Sequence, residues 1–266
     1  MFILPKRKNN TYKKDYGSIL ILAGNESYGG AAILAARAAL YSGAGLITLA
    51  THPSNHIPLH STQPEVMLRD WGEDLSPLVK TSDVILVGPG LGTDAKAKRL
   101  FKNTLDELTE DQTLVLDASA LHLFKEVNLP RCKLILTPHL GEMRKMSELS
   151  TAEINDENCL AFAKKHNAYL ILKGHQSKLY YDDKIYDNIP GTPAMASGGA
   201  GDVLAGMIAG FAAQFETLLA IRTALYLHSK IAIDLARDNY VVLPSQIIKK
   251  IPSEMKKLEE KERVMI

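Results

Sequence analysis

Short runs of Ile, Val and Leu alternate along this chain with longer stretches in which apolar residues recur every three or four positions. Continuous apolar runs of that length suit strands buried on both faces of a parallel sheet, and the longer period suits helices covering it. The pattern predicts strands over 18–23, 46–50, 84–87, 113–116, 133–136 and 168–172. The first, third and last are almost wholly apolar, which places them centrally. Helices are predicted over 30–41, 94–103, 155–166, 202–215 and 218–236. Between 179 and 188, Tyr180-Tyr181-Asp182-Asp183-Lys184-Ile185-Tyr186 reads as two short strands around an acidic turn, an antiparallel hairpin added to the sheet. The class is α/β. No internal repeat or linker interrupts it, so one domain is expected over 1–266.

Glycines and polar residues gather just after the strands, where open parallel sheets bind ligands. Gly24-Asn25-Glu26 follows the first strand, Gly88-Pro89-Gly90-Leu91-Gly92 the third, Asp117 the fourth, Thr137-Pro138-His139 the fifth and Lys173-Gly174 the sixth. Each has a bland reading. The 88–92 loop lacks G-x-G-x-x-G spacing and fits a tight turn or a close backbone approach to a ligand. His139 fits a helix-starting residue or a neutral imidazole bonding a substrate, and Lys173 a solvated strand end or a phosphate contact. Asp117 fits a helix cap or a carboxylate beside hydrated Mg²⁺.

The sharpest signal is Pro193-Ala194-Met195-Ala196-Ser197-Gly198-Gly199-Ala200-Gly201-Asp202, which leads directly into the helical stretch. Asp is a common helix cap, but a cap needs few glycines. Three glycines and two alanines in positions 196–201 strip the turn of side chains, as a phosphate-bearing ligand requires. Unpartnered N–H groups at the helix start then hold negative charge, with Asp202 placed to take a proton.

The 266 residues, 46% hydrophobic and 23% charged with a net charge of +1, fit a soluble globular protein. A balance so near zero argues against a nucleic-acid or membrane-surface partner, and Lys6-Arg7-Lys8 with Lys13-Lys14 reads as a solvated face. Cys132 and Cys159 have neither zinc spacing nor a disulfide framework. The run Phe2-Ile3-Leu4 is too short for a signal peptide, and no later run spans a membrane, so a cytoplasmic location is expected.

Gly199-Ala200-Gly201-Asp202 resembles the Gly-Ala-Gly-Asp turn of the ribokinase-like superfamily, in which the turn forms an anion hole and its Asp is the catalytic base. The resemblance implies a three-layer α/β/α sandwich with a mostly parallel sheet and an edge hairpin. Two positions depart from the small vitamin kinases: Ala196 stands where they carry an acid, and their Asn-x-x-Glu reads His139-Leu140-Gly141-Glu142. From about residue 8 to 251 the chain resembles the ADP- or ATP-dependent NAD(P)H-hydrate dehydratases. The resemblance runs through Asp15-Tyr16-Gly17, the 30–40 stretch, Ser42-Gly43-Ala44-Gly45, Pro64-Glu65-Val66-Met67, 88–92, 136–142 and 195–206. Tyr12, Lys14 and Ala200 depart from the residues frequent there.

That resemblance implies a repair reaction. NADH or NADPH hydrated at the nicotinamide C5–C6 bond, in its S epimer, is restored at the expense of ADP or ATP with Mg²⁺. It implies Asp202 as base and Gly199, Ala200 and Gly201 as anion hole. The adenine nucleotide falls near Lys173, Gly174, His175, Gln176, Ser177 and Gly201, and the hydrated dinucleotide near Ala31, Gly90 or Gly92, His139 and Asp202. Asp117 and Glu142 are candidate partners of Mg²⁺ through water. It further implies a homo-oligomer, a tetramer by family habit, and an epimerase carried on a separate protein. Two alternatives remain: a kinase for a hydroxymethyl group of a vitamin precursor, and a pyridine-nucleotide binder without catalysis.

Overall fold

In the computed structural model residues 3–263 are described; Met1, Phe2 and 264–266, including the start of the Phe2-Ile3-Leu4 run, lie outside the described residues. The strands are β1 Ser18–Leu22, β2 Leu46–Thr51, β3 Met67–Asp70, β4 Val84–Val87, β5 Thr113–Leu116, β6 Lys133–Leu136, β7 Ala168–Leu172, β8 Lys178–Tyr181 and β9 Lys184–Asp187. They form one nine-stranded sheet in the order β3-β2-β1-β4-β5-β6-β7-β8-β9. Pairing is parallel from β3 through β7, and antiparallel for β7 with β8 and β8 with β9. The hairpin read from the tyrosine-rich segment is therefore an edge extension. β1, β4 and β7 each have a strand on both sides, as their apolar sequences predict.

The helices are α1 Gly29–Tyr41, α2 His56–Thr62, α3 Ser76–Thr81, α4 Ala95–Asp106, α5 Ser119–Leu123, α6 Leu140–Ser147, α7 Asp156–Lys165, α8 Ala200–Ala212, α9 Thr217–Ala236 and α10 Pro244–Arg263. They cover both faces of the sheet. Alternate strand residues feed two separate cores: Ile19, Ile21, Val84, Leu86, Val115 and Ile135 pack with α1, α8, α9 and α10. Leu20, Leu22, Ile85, Val87, Leu114 and Leu136 pack with α3 to α7. This is the three-layer sandwich expected from the sequence, with the period-2 alternation hidden because both faces are apolar.

Small residues set the closest packing. A β-carbon at Gly206 would collide with the Ala35 carbonyl, and one at Gly210 would press on Ala39, so α1 and α8 touch nearly backbone to backbone. That contact fixes the height of the α8 N-terminus above the carboxyl edge of the sheet, where the site lies.

Candidate active site

The glycine-rich turn enters α8 through Gly199, whose φ of 99° lies in the left-handed region that a side chain resists. The first bond of the α8 ladder is Val203 N–H to the Gly199 carbonyl at 3.0 Å, and the Ala200 N–H reaches the Ser197 carbonyl only at 3.5 Å. The N–H groups of Gly201 and Asp202 stand ahead of that ladder, with no acceptor inside the helix. The cap is Gly199. Asp202 is the third residue of the helix, so the capping reading of its carboxyl gives way to one in which it faces the site.

Three strand ends bring a charged cluster beneath that turn. The Lys173 Nζ lies 2.6 Å from Asp117 Oδ1 and 3.8 Å from Glu142 Oε2. The side chains of Asp117 and Glu142 are only 2% and 6% exposed, and the Lys173 ammonium is the cation packed against both. The Thr137 hydroxyl donates to Asp117 Oδ1 at 2.7 Å. The Asp117 side chain caps nothing, and the N-cap of α5 is Ala118, held at φ 46°.

His139 is the N-cap of α6: its Nδ1 accepts from the N–H groups of Gly141 at 2.9 Å and Glu142 at 3.2 Å. The Glu142 carboxylate accepts in turn from the His139 N–H at 2.7 Å, a capping box that aims both side chains. A parallel bridge between His139 and Lys173 extends the β6–β7 pairing beyond both strands and sets the two loops side by side. With Nδ1 occupied as an acceptor, the neutral ring carries its proton on Nε2. The cap and the substrate-facing readings of His139 are thus compatible.

These neighbours tune one another. Burial raises the Asp202 carboxyl and the nearby Asp117 charge raises it further; Lys173 pulls it back, and it settles at about 6. Burial alone draws the Lys173 ammonium down, but Asp117, Glu142 and Asp202 outweigh it and hold Lys173 above its ordinary value. His228 of α9 is 6% exposed, sits against the Ala200 backbone and is pushed by burial down to about 4, so it is neutral.

The remaining loops continue the arc. A β-carbon on Gly90 would meet the Tyr28 carbonyl and the Ala31 methyl, so Gly90 and Ala31 adjoin. The Gly92 N–H donates to Ser119 Oγ at 3.0 Å, and Gly88 leaves room only for the Asp117 carbonyl. Gly201 lies beside the Lys173 ammonium. His175, Gln176 and Ser177 sit apart, on the β7–β8 turn: the Gln176 amide bonds the Asn188 carbonyl at 2.9 Å, and the His175 carbonyl accepts from Gly191.

A family profile described as NAD(P)H-hydrate dehydratase matches residues 19–253. The chain belongs to the NAD(P)H-hydrate dehydratase family. It is 42% identical over 96% of its length to the ADP-dependent (S)-NAD(P)H-hydrate dehydratase of Staphylococcus aureus, 95% of which is covered. A ribokinase-like superfamily protein of Enterococcus faecalis superposes with a TM-score of 0.94 at 39% identity, over 96% of this chain and 92% of that one. The ADP/ATP-dependent NAD(P)H-hydrate dehydratase of Bacillus subtilis, co-crystallised with ATP and Mg²⁺, gives a TM-score of 0.86 at 28% identity, over 97% and 95% of the two chains.

The dehydratase donor set suits a hydrated cation better than a caged one. Among the described residues no group of three or more His, Cys, Asp or Glu side chains surrounds a metal position. Asp117 and Glu142 form a pair of carboxylates whose charge Lys173 already shares. Mg²⁺ accepts such sites because it keeps waters and takes most of its ligands from phosphates.

His228 and Thr137 complete the site, and the sequence reading assigned neither a role. The only signal for His228 is a lone imidazole in an apolar helical stretch, which core packing explains equally well. Arg7 is exposed, as the solvated face expects, and it also makes local contacts. Its guanidinium lies 3.7 Å from the Tyr16 ring centroid and bonds the Gly43 carbonyl, along the wall of a cavity of about 920 Å³ whose lining includes none of Asp117, His139, Lys173 and Asp202.

Proposed function

We propose that this protein converts the S epimer of hydrated NADH or NADPH back to the reduced dinucleotide, with ADP as phosphoryl donor. The observation that carries the reading is Asp202: a half-buried carboxyl raised to about 6, at the mouth of a side-chain-free helix N-terminus. Such a group is mostly ionised at neutral pH and still basic enough to accept a proton.

Asp202 takes the proton of the C6 hydroxyl as that oxygen attacks the terminal phosphoryl group of ADP, whose bond to the bridging oxygen breaks and releases AMP. The N–H groups of Gly199, Ala200 and Gly201 stabilise the transferring charge, and Lys173 beside Gly201 neutralises the donor phosphates. Loss of phosphate from C6 and of a proton from C5 restores the ring double bond. Lys173, Gly174, His175, Gln176, Ser177 and Gly201 receive the adenine nucleotide, and Ala31, Gly90, Gly92 and His139 the hydrated dinucleotide. Asp117 and Glu142 would hold Mg²⁺ through water. When bound, the cation would offset phosphate charge.

The same reading makes the enzyme a cytoplasmic homotetramer in a single domain. An S-specific dehydratase leaves the R epimer to a separate epimerase. The deciding experiment incubates purified protein with Mg²⁺, chemically prepared NADH hydrate and either ADP or ATP, and follows the absorbance of intact NADH. Recovery that requires ADP is expected. No recovery with either nucleotide would replace this reading with a small-molecule kinase.

A further inference from the structure

The β2 and β3 end of the carboxyl edge carries a cluster that the dehydration chemistry does not use. Trp71 follows β3 and is 5% exposed, yet its indole Nε1 has no hydrogen-bond partner. Lys96, in the first turn of α4, holds its ammonium 4.9 Å from the Trp71 ring centroid. His52, just after β2, meets the same ring edge-on at 5.7 Å. The Ser54 N–H donates to His52 Nδ1 at 3.2 Å, which leaves the proton of the neutral ring on Nε2. Among the described residues no carboxylate pairs with Lys96, whereas an aromatic face positions a cation without neutralising it.

The direction of the two ligands gives this cluster its use. On the proposed reading the phosphoryl donor comes from the β7–β8 side, where Lys173 to Ser177 lie, and both ligands meet at Asp202. The far half of the dinucleotide must therefore run the other way, past Gly90 and Ala31 toward β1, β2 and β3. From β4 to β3 is three strand steps, about 14 Å at roughly 4.8 Å each, a span suited to a ribose–pyrophosphate–ribose tether. The floor between is rigid: the buried Asn55 amide donates to the Gly24 and Asn25 carbonyls at 3.3 and 3.2 Å, and Asn25 Oδ1 accepts from Ser27 and Tyr28.

We propose that Lys96, set in place by Trp71 and flanked by His52, binds a phosphate on the adenosine half of the hydrated dinucleotide. This rests on the function proposed above. It makes Lys96 a determinant of substrate affinity, remote from the reacting ring.

The test titrates NADPH, NADH and reduced nicotinamide mononucleotide by their fluorescence against wild type, Lys96→Ala and Lys96→Arg, with KM for the hydrated forms and for ADP measured alongside. Lys96→Ala should weaken dinucleotide binding roughly tenfold, the scale of one charge-assisted phosphate contact. Binding of the mononucleotide and KM for ADP should stay within twofold, kcat should fall less than KM rises, and Lys96→Arg should restore most of the loss. Weakening of NADPH alone assigns the 2′-phosphate; weakening of NADH as well assigns the adenosine-side pyrophosphate. Unchanged dinucleotide binding, an equal loss for the mononucleotide, or a shift confined to ADP overturns the proposal. Binding is read without turnover, so a wild type that binds dinucleotides but restores no NADH fails the functional reading alone.

Discussion

A carboxyl pushed up to about 6 and proposed as the base should leave its mark on both rate and stability. As pH rises through about 6, Asp202 ionises and kcat/KM should climb to a plateau. Asp202→Asn should lose about 10²- to 10⁴-fold in turnover and with it that acid limb. Stability runs in the opposite sense. The folded-state value lies above the ordinary 3.8, so the native state binds the proton more tightly, and ionisation costs stability as pH rises from about 4 to 6. Asp202→Asn should therefore match wild type in melting temperature near pH 4 and exceed it by a few degrees above pH 7, reflecting roughly 1–3 kcal/mol. An advantage over wild type no larger at pH 7.5 than at pH 4 would contradict the raised value. Lys173→Met exposes a second residue-scale dependency. It strands the buried Asp117 carboxylate, which should cost about 3 kcal/mol in urea unfolding, and Asp117→Asn in the same background should return much of it. Equal midpoints for wild type and Lys173→Met would show that the pair contributes nothing. Asp117, Lys173 and Asp202 were each legible as strand-end or helix-start residues. Their mutual pairing was not, because it depends on which strands neighbour one another.

The elements most legible in the sequence were those with one dominant period. β4, β5, β6 and β7 have the predicted bounds, since unbroken apolar runs ending in Gly, Asp, Thr or Lys leave little freedom. β3 escaped notice: Met67-Leu68-Arg69-Asp70 is a half-exposed edge strand with charged residues and no buried face, so it carries no apolar signature. α10 escaped for another reason. Its polar face hides the repeat, and Pro252 stands inside it where a proline ordinarily argues against a helix. The glycines of α8 have a meaning visible only in the packed pair. Gly206→Ala should push α8 off the Ala35 carbonyl, at a cost of about 1–3 kcal/mol, and tilt the turn that carries Gly199 to Asp202. Thermal melts and kcat should fall together. An alanine variant of full stability would show that α1 yields instead.

At the scale of the whole molecule, the strand order places Asp117, His139 and Lys173 on consecutive strand ends, β5, β6 and β7, and the α8 N-terminus closes over them from a different layer. No local pattern specifies that closure. It arises from two cores formed on opposite faces of one sheet, of which the sequence shows only the combined apolar content. A ligand bridging these layers should stabilise the fold as a unit. With ADP and Mg²⁺ present at a hundredfold excess over the dissociation constant, binding adds about 2.7 kcal/mol. For a chain of 266 residues that corresponds to roughly 5–10 °C in melting temperature. Chelating Mg²⁺ should shrink the shift, because the donor phosphates then face Asp117, Glu142 and Asp202 with Lys173 as the main counter-charge. Asp202→Asn should keep the shift or enlarge it, since it removes a negative charge from the phosphate side of the turn while leaving the N–H groups in place. A shift that survives chelation unchanged would remove Mg²⁺ from nucleotide binding, and one that vanishes in Asp202→Asn would make Asp202 part of the nucleotide site rather than a base that meets it only during the reaction.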